Sequence, residues 1–402
     1  MTDEIPIVVI KTMHRHYYFQ WFLLGFYYLE QKGRIKIKFE LESLFDKLSL
    51  KTNNKYILWG YGWIARKFGI NNANLYKDSY LLTGYIHYKG CNKEFCIDSA
   101  DAPFLFDSEQ LNKTSCYFKM QCPLEITEKG FPLSNDIYIP WLDHKHIGKE
   151  TTLTHVAPRA KCNNIYENKD KIKPLMIGPA RLSVSNKFKD MDFGYRHFRE
   201  SRIKQPDKML MCYFGNSKGP SGTYKDNPDF DWEIDIMGYF GNKISHPNEK
   251  RAKAYQIIKG LGKGYDARLI NEYDPISGNK TTHQELIIPL DKWAEHISHF
   301  NYNINISGLR MSVPNRVIEA FMVGTGIITD KMAIKWYKPF DKELIETVPM
   351  GYLPMDKVNW KQFEKDIAAL PPINRNEIIN SFEEKWSPQK VAEYIINEVI
   401  NS

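Results

Sequence analysis

Arg310, Ser312, Asn315, Arg316 and Glu319 crowd into one short stretch, Asn303 to Asp330, which reads NINISGLRMSVPNRVIEAFMVGTGIITD. Its pattern is strand, loop, helix, tight glycine turn, strand. The loop carries Arg310 and Ser312 to the start of the helix, and Asn315 and Arg316 fall in its first turn. A helix N-terminus presents unpaired N–H groups and the positive end of the dipole, which suits a diphosphate. Two arginines there add always-charged, fork-shaped donors for phosphate oxygens. Glu319 stands one turn later on an otherwise apolar helix, where a carboxylate can accept hydrogen bonds from ribose hydroxyls. The same residues also fit a surface ion-pair cluster on an amphipathic helix. Residue types and spacing alone leave these two readings evenly balanced.

Three other places carry chemistry. The strand Met209–Phe214 runs into FGNSKGPSG, where Gly215 and Lys218 could face a phosphate, although an ordinary turn explains Lys218 as well. In CIDSADAPFLFD, Asp98 and Asp101 follow a strand end, the edge of an α/β sheet where binding residues gather. Either carboxylate could serve as a general base, with Asp101 preferred, and His14 and His16 are rivals at the end of the first strand. Helix capping or solvation is the plainer account of each. Gly60-x-Gly62-x-x-Ala65 resembles a dinucleotide fingerprint, which would make an NAD-linked oxidoreductase, but no suitable acidic residue follows. Asp143-His144-x-His146 lacks a further ligand in a fixed pattern, so no metal is expected.

The Asn303–Asp330 stretch resembles the donor-site signature of GT-B glycosyltransferases, particularly exostosin-like and related bacterial surface-polysaccharide enzymes. The likeness is carried by Ser312, the Arg316-x-x-Glu319-Ala320 helix, the Gly324-Thr325 turn and the strand to Asp330. The proline that follows the turn in exostosins is replaced here by Gly326-Ile327. The resemblance implies two Rossmann-like domains facing across a cleft, with a C-terminal helix crossing back to the first. It implies a nucleotide-sugar donor held by the second domain, a glycan or lipid-linked glycan acceptor, and no cofactor or metal. On this likeness Glu319 would bind ribose and the arginines the diphosphate. A different class, a non-catalytic glycan- or nucleotide-binding protein with a degenerate transferase fold, is the alternative.

The elements that must position these residues form two α/β series. At 402 residues the chain exceeds one ordinary core, and 43% hydrophobic with 26% charged residues is globular composition. Strand-like runs at Pro6–Ile10, Ile35–Phe39, Tyr56–Gly60, Tyr80–Ile86, Phe95–Asp98 and Cys116–Lys119 predict a parallel sheet of βα units. A second series runs through Met209–Phe214, a helix over His246–Gly260, Asp266–Ile270, a helix over Leu290–Phe300, Tyr302–Ser307, a helix over Pro314–Val323, and Gly326–Thr329. Residues 1–172 are thus expected as an acceptor domain, 173–385 as a nucleotide-sugar domain, and 386–402 as a helix returning to the first. The segment YYFQWFLLGFYYL, Tyr17–Leu29, is too short to span a bilayer and predicts a buried helix, with an interfacial membrane face as the minor reading. The charge of +7 is spread out rather than striped, which argues against nucleic acid and for anionic small ligands or a peripheral phospholipid contact. No secretory leader is legible and the six cysteines match no zinc spacing, so free thiols and a cytoplasmic setting are expected.

Overall fold

The computed structural model describes residues 4–13, 18–41, 47, 80–100, 103, 106–126, 128, 165–180, 182–183, 187–215, 246–270, 288, 290–306, 313–329, 334–339, 345–347 and 358–402. Two separate sheets organise them. The first joins β1 (Ile7–Met13), β2 (Lys36–Phe39), β3 (Leu81–Tyr88), β4 (Cys91–Asp98), β5 (Cys116–Lys119) and β6 (Ile172–Pro174) in the order β2-β1-β3-β4-β5-β6. A parallel sheet throughout this half was the expectation, and it needs correction. β1 with β2 and β4 with β5 and β6 are parallel, but β3 runs antiparallel to both of its neighbours. The reversal from β3 to β4 is made by Lys89 and Gly90, with φ of 50° and 74°. Two residues in the left-handed region make the primed turn that matches strand twist, so an antiparallel hairpin forms where parallel strands were expected.

The second sheet is wholly parallel. It joins β7 (Lys208–Gly215), β8 (Tyr265–Ile270), β9 (Phe300–Asn305), β10 (Gly326–Thr329) and β11 (Ile345–Thr347) in the order β11-β10-β9-β7-β8. Helices cover both faces, as an all-parallel sheet requires. Ala254 and Ile258 of α4 (His246–Gly260) and Phe363 and Ile367 of α7 (Trp360–Ala368) pack on one face with Leu210, Cys212, Tyr302 and Ile304. Ala294 and Ile297 of α5 (Leu290–Ser298) and the apolar side chains of α6 (Arg316–Val323) pack on the other with Met211 and Ile327.

That second apolar cluster does not stop at the sheet. It continues through α3 (Phe188–Glu200) and α8 (Arg375–Lys385) to α1 (Gln20–Gln31), α9 (Pro388–Asn401) and the first sheet. Among the described residues no helix is long and apolar enough to cross a membrane. The apolar run read from the sequence is α1, whose Gln20 to Phe26 and Leu29 are buried. Two polar clasps cross this core. The Gln20 carboxamide accepts from Leu182 N and Ser183 N and donates to Ser183 O, at 2.9, 3.1 and 2.9 Å. The Gln121 carboxamide pairs with both Val313 N (3.0 Å) and Val313 O (2.9 Å), just ahead of α6.

α9 lies against α1, β3 and β4. The ε-ammonium of Lys93 donates to Ile400 O at 2.8 Å, a cation at the negative end of the helix, and Arg34 pairs with Glu393. The close approach depends on Gly25, because a Cβ there would stand 2.1 Å from Pro388 O. Gly25→Val should therefore destabilise the protein by about 1–3 kcal/mol, the usual cost of overpacking. Urea unfolding measures it, and unchanged stability would contradict this packing of α9 on α1.

Candidate functional site

In chain order the second sheet starts at β7, adds β8 on one side, and then crosses to β9 on the other. The strand order reverses between β7 and β9. In open α/β sheets the crevice at the carboxyl end of such a switch point is where ligands bind. The described residues there come from four elements. Arg251 of α4, the helix that follows β7, donates through Nη2 to Ile306 O just beyond β9, at 2.9 Å. Arg316 of α6, the helix that follows β9, donates through Nη1 to Tyr213 O near the end of β7. Each helix thus returns a guanidinium across the switch point to the other strand.

Around Arg316 the contacts close into a ring. Trp293 of α5 meets the Tyr213 ring edge-on, with centroids 5.2 Å apart at 63°. Its indole N–H donates to Glu319 Oε2 at 2.7 Å, and Glu319 Oε1 accepts from Ala180 N, also at 2.7 Å. Arg316 and Glu319 attract each other one turn apart on α6. Glu319 is 4% exposed, and burial pushes its carboxyl up despite the two N–H donors and the arginine that favour the anion. Burial also lowers the Arg316 guanidinium, against the pull of Glu319. Asn315, the residue ahead of α6, makes no side-chain cap; its Nδ2 donates to Gly178 O at 2.6 Å. The turn begins at Pro314, whose carbonyl accepts from Val317 N at 3.1 Å.

The structure therefore gathers Asn315, Arg316 and Glu319 at the carboxyl edge of the sheet, where Gly215 is the last residue of β7. Glu319 already receives one protein donor on each oxygen, so any ribose contact has only the remaining lone pairs. Arg316 keeps the rest of its N–H donors. Arg310, Ser312 and Lys218 lie outside the described residues, as do Asp101, His14, His16 and the Gly60 and Asp143 motifs. Asp98, considered above as a base, is 2% exposed and fully engaged. Its Oδ1 accepts from Ala100 N at 2.7 Å, and its Oδ2 accepts from Tyr117 Oη at 2.6 Å and from Lys119 Nζ at 2.8 Å. Such a carboxylate anchors the ends of β4 and β5; nothing leaves it free to take a proton from a substrate. Among the described residues no group of three or more His, Cys, Asp or Glu could hold a metal ion.

Sequence reasoning missed Arg251 and the polar stripe of β9. Arg251 had a signal: it shares the helix face of Ala254 and Ile258, where an apolar residue is expected. On β9, Asn301, Asn303 and Asn305 alternate with Phe300, Tyr302 and Ile304 in a strand buried on both faces. Asn305 Nδ2 donates to Thr329 Oγ1 at 3.1 Å, and both amide atoms of the fully buried Asn303 lack a protein partner. On β8, Asp266 is held down to about 2, first by His296, whose Nε2 is 3.1 Å from Oδ2, and then by Arg268.

No family model matches the chain, and no curated protein matches it in sequence.

The Asp98–Lys119 pair gives a direct stability test. Asp98→Ala leaves the fully buried Lys119 without its counter-charge and should cost about 3–5 kcal/mol. Asp98→Leu combined with Lys119→Leu should recover most of that loss, because an apolar pair needs no desolvation. Chemical unfolding of the single and double variants decides it; a double variant as unstable as the single would contradict the ion-pair account.

Proposed function

We propose that this chain is a glycosyltransferase that takes sugar from a nucleotide-sugar bound at the β7–β9 switch point. A glycan or glycolipid of surface-polysaccharide or glycoconjugate synthesis is the acceptor. The observation that carries the reading is Arg316, at the start of α6 and at the carboxyl end of β7, where the helix dipole and a guanidinium converge on one point. Diphosphate charge is met by these groups, aided by Arg310 and Ser312, which precede the helix in the sequence. The likeness of the Arg316-x-x-Glu319-Ala320 helix to the GT-B donor signature supports the same assignment. Glu319 then acts largely as a positioning residue, holding α6 against Ala180 and Trp293. The acceptor's base is sought in Asp101, His14 or His16. Contact of the protein with the inner face of a membrane, and a cytoplasmic setting, belong to the same proposal.

One observation favours a second reading, binding without turnover. Asp98 is the one candidate base among the described residues, and it is closed into an ion pair.

Incubation with a panel of nucleotide-sugars separates the two. The transferase is expected to hydrolyse its donor slowly without acceptor, also in the presence of EDTA, whereas a binder retains the donor intact. A panel in which no nucleotide-sugar binds would overturn both. Arg316→Gln should weaken a nucleoside diphosphate by about 1.5–3 kcal/mol, the range for a charged hydrogen bond, and the matching nucleoside far less. Calorimetric titration reads this, and equal losses for both ligands would remove Arg316 from the diphosphate. Asp101→Asn should lower turnover while leaving nucleotide affinity nearly intact; unaltered transfer rates would remove it as the base.

A further inference from the structure

A second site stands in the first half of the chain, away from the switch point. Along β1, Val8, Ile10 and Met13 point into the core beneath α1 and α9. Between Ile10 and Thr12 the pairing with β3 slips by one residue. Such a bulge puts two successive side chains on one face and re-aims the extra one. Here it turns Lys11 and Thr12 together onto the sheet face that looks away from α1. A cavity of about 190 Å³ opens there between β1, β3, β4 and α2 (Ser108–Lys113). It is smaller than the roughly 300–1,000 Å³ of sites for drug-sized ligands, so its occupant is small.

The charges around it are held apart. Lys11 Nζ and Lys113 Nζ each stand 4.0 Å from a different oxygen of Glu94. Those are ion-pair separations and too long for hydrogen bonds. The Lys11 ammonium also sits 5.5 Å from the centroid of the Tyr85 ring. The side chains of Lys11 and Glu94 are about one-third exposed, so water and a ligand can reach them. Thr12 Oγ1 and Thr83 Oγ1 lie 2.8 Å apart on the cavity wall. One hydroxyl donates to the other, which leaves a second O–H and several lone pairs to face the space. The lining thus offers two ammonium groups, the two carboxylates of Glu94 and Glu109, the Gln110 amide and a hydroxyl pair.

We propose that this cavity binds a small hydroxylated acid. Its anionic oxygens lie between Lys11 and Lys113, some of its hydroxyls donate to the carboxylates of Glu94 and Glu109, and others meet the threonine pair. A neutral polyol would satisfy Glu94 and the threonines and leave both ammonium groups as they are. A simple anion would meet the lysines and face Glu94 and Glu109 unfavourably. Only a ligand carrying both kinds of group answers the whole lining. The anionic part can be a carboxylate or a phosphate. The proposal does not depend on the reading of the β7–β9 site.

Calorimetric titration of the full chain with gluconate, glucose 6-phosphate and glucose tests it. Gluconate or glucose 6-phosphate binds, and the tighter of the two names the anionic group; glucose does not compete. Lys113→Gln, at an exposed position that folding tolerates, weakens the acid several-fold. Lys11→Gln with Lys113→Gln weakens it by about tenfold or more. Lys189→Gln, on the exposed face of α3, leaves it unchanged. Glucose binding as tightly as the acids, acids binding the double variant as well as the parent, or no binding by any of the three would each overturn the proposal.

Discussion

A carboxylate taken out of water must be met by donors or by an opposite charge, and Glu319 sits where that requirement ties distant parts of the chain together. Ala180 N–H comes from the segment that leads from the first sheet toward α3. Trp293 N–H comes from α5, and the Arg316 charge comes from the first turn of Glu319's own helix. If any one of these is withdrawn, the buried anion loses support at a cost of kilocalories. The position of α6 is therefore set by a polar condition as well as by its apolar face. Asn315 to Gly178 and Gln121 to Val313 repeat the same fastening just ahead of the helix start.

Once α6 is fixed, the chemistry of the switch point follows. The helix start is aimed at the gap between β7 and β9, and Arg316 lies across it. Arg251 makes the reverse crossing from α4. The Arg316 guanidinium, which satisfies one main-chain carbonyl, is held in place yet retains donors for an anion. Donors oriented in advance are the preorganisation that the proposed diphosphate site requires. The cost is two partly desolvated cations, and burial lowers the Arg316 guanidinium accordingly.

Much of this was legible in the sequence where periodicity was strong. Cys116–Lys119, Gly326–Thr329 and His246–Gly260 have the bounds their residues predict; the expected strand Tyr56–Gly60 lies outside the described residues, and the other expected strands shift by a few residues at their ends. The strand–helix–strand unit around Arg316 was readable because Gly324, with φ of 80°, ends the helix in the left-handed conformation. The β3–β4 hairpin was not legible, because Lys-Gly is a weaker signal for a primed turn than Asn-Gly. Nor could spacing tell a carboxylate that faces solvent from one that is sealed. Asp98 and Glu319 both carry the residue type of a site, and only tertiary packing reveals that Lys119 and Trp293 have claimed them. The helix face marked Arg251 as unusual, but its contact with Ile306 O, fifty-five positions away along the chain, could not be read from the sequence.

The central claim is that an anionic nucleotide binds at the carboxyl end of β7 and β9, against the start of α6. Amide hydrogen exchange in the presence of saturating nucleoside diphosphate maps that place without any substitution. The account predicts slowed exchange in the peptides that cover Leu210 to Gly215 and Val313 to Ala320, with β3, β4 and α9 unchanged. Protection confined to the first sheet, or none in either of those two segments under saturating ligand, would contradict it.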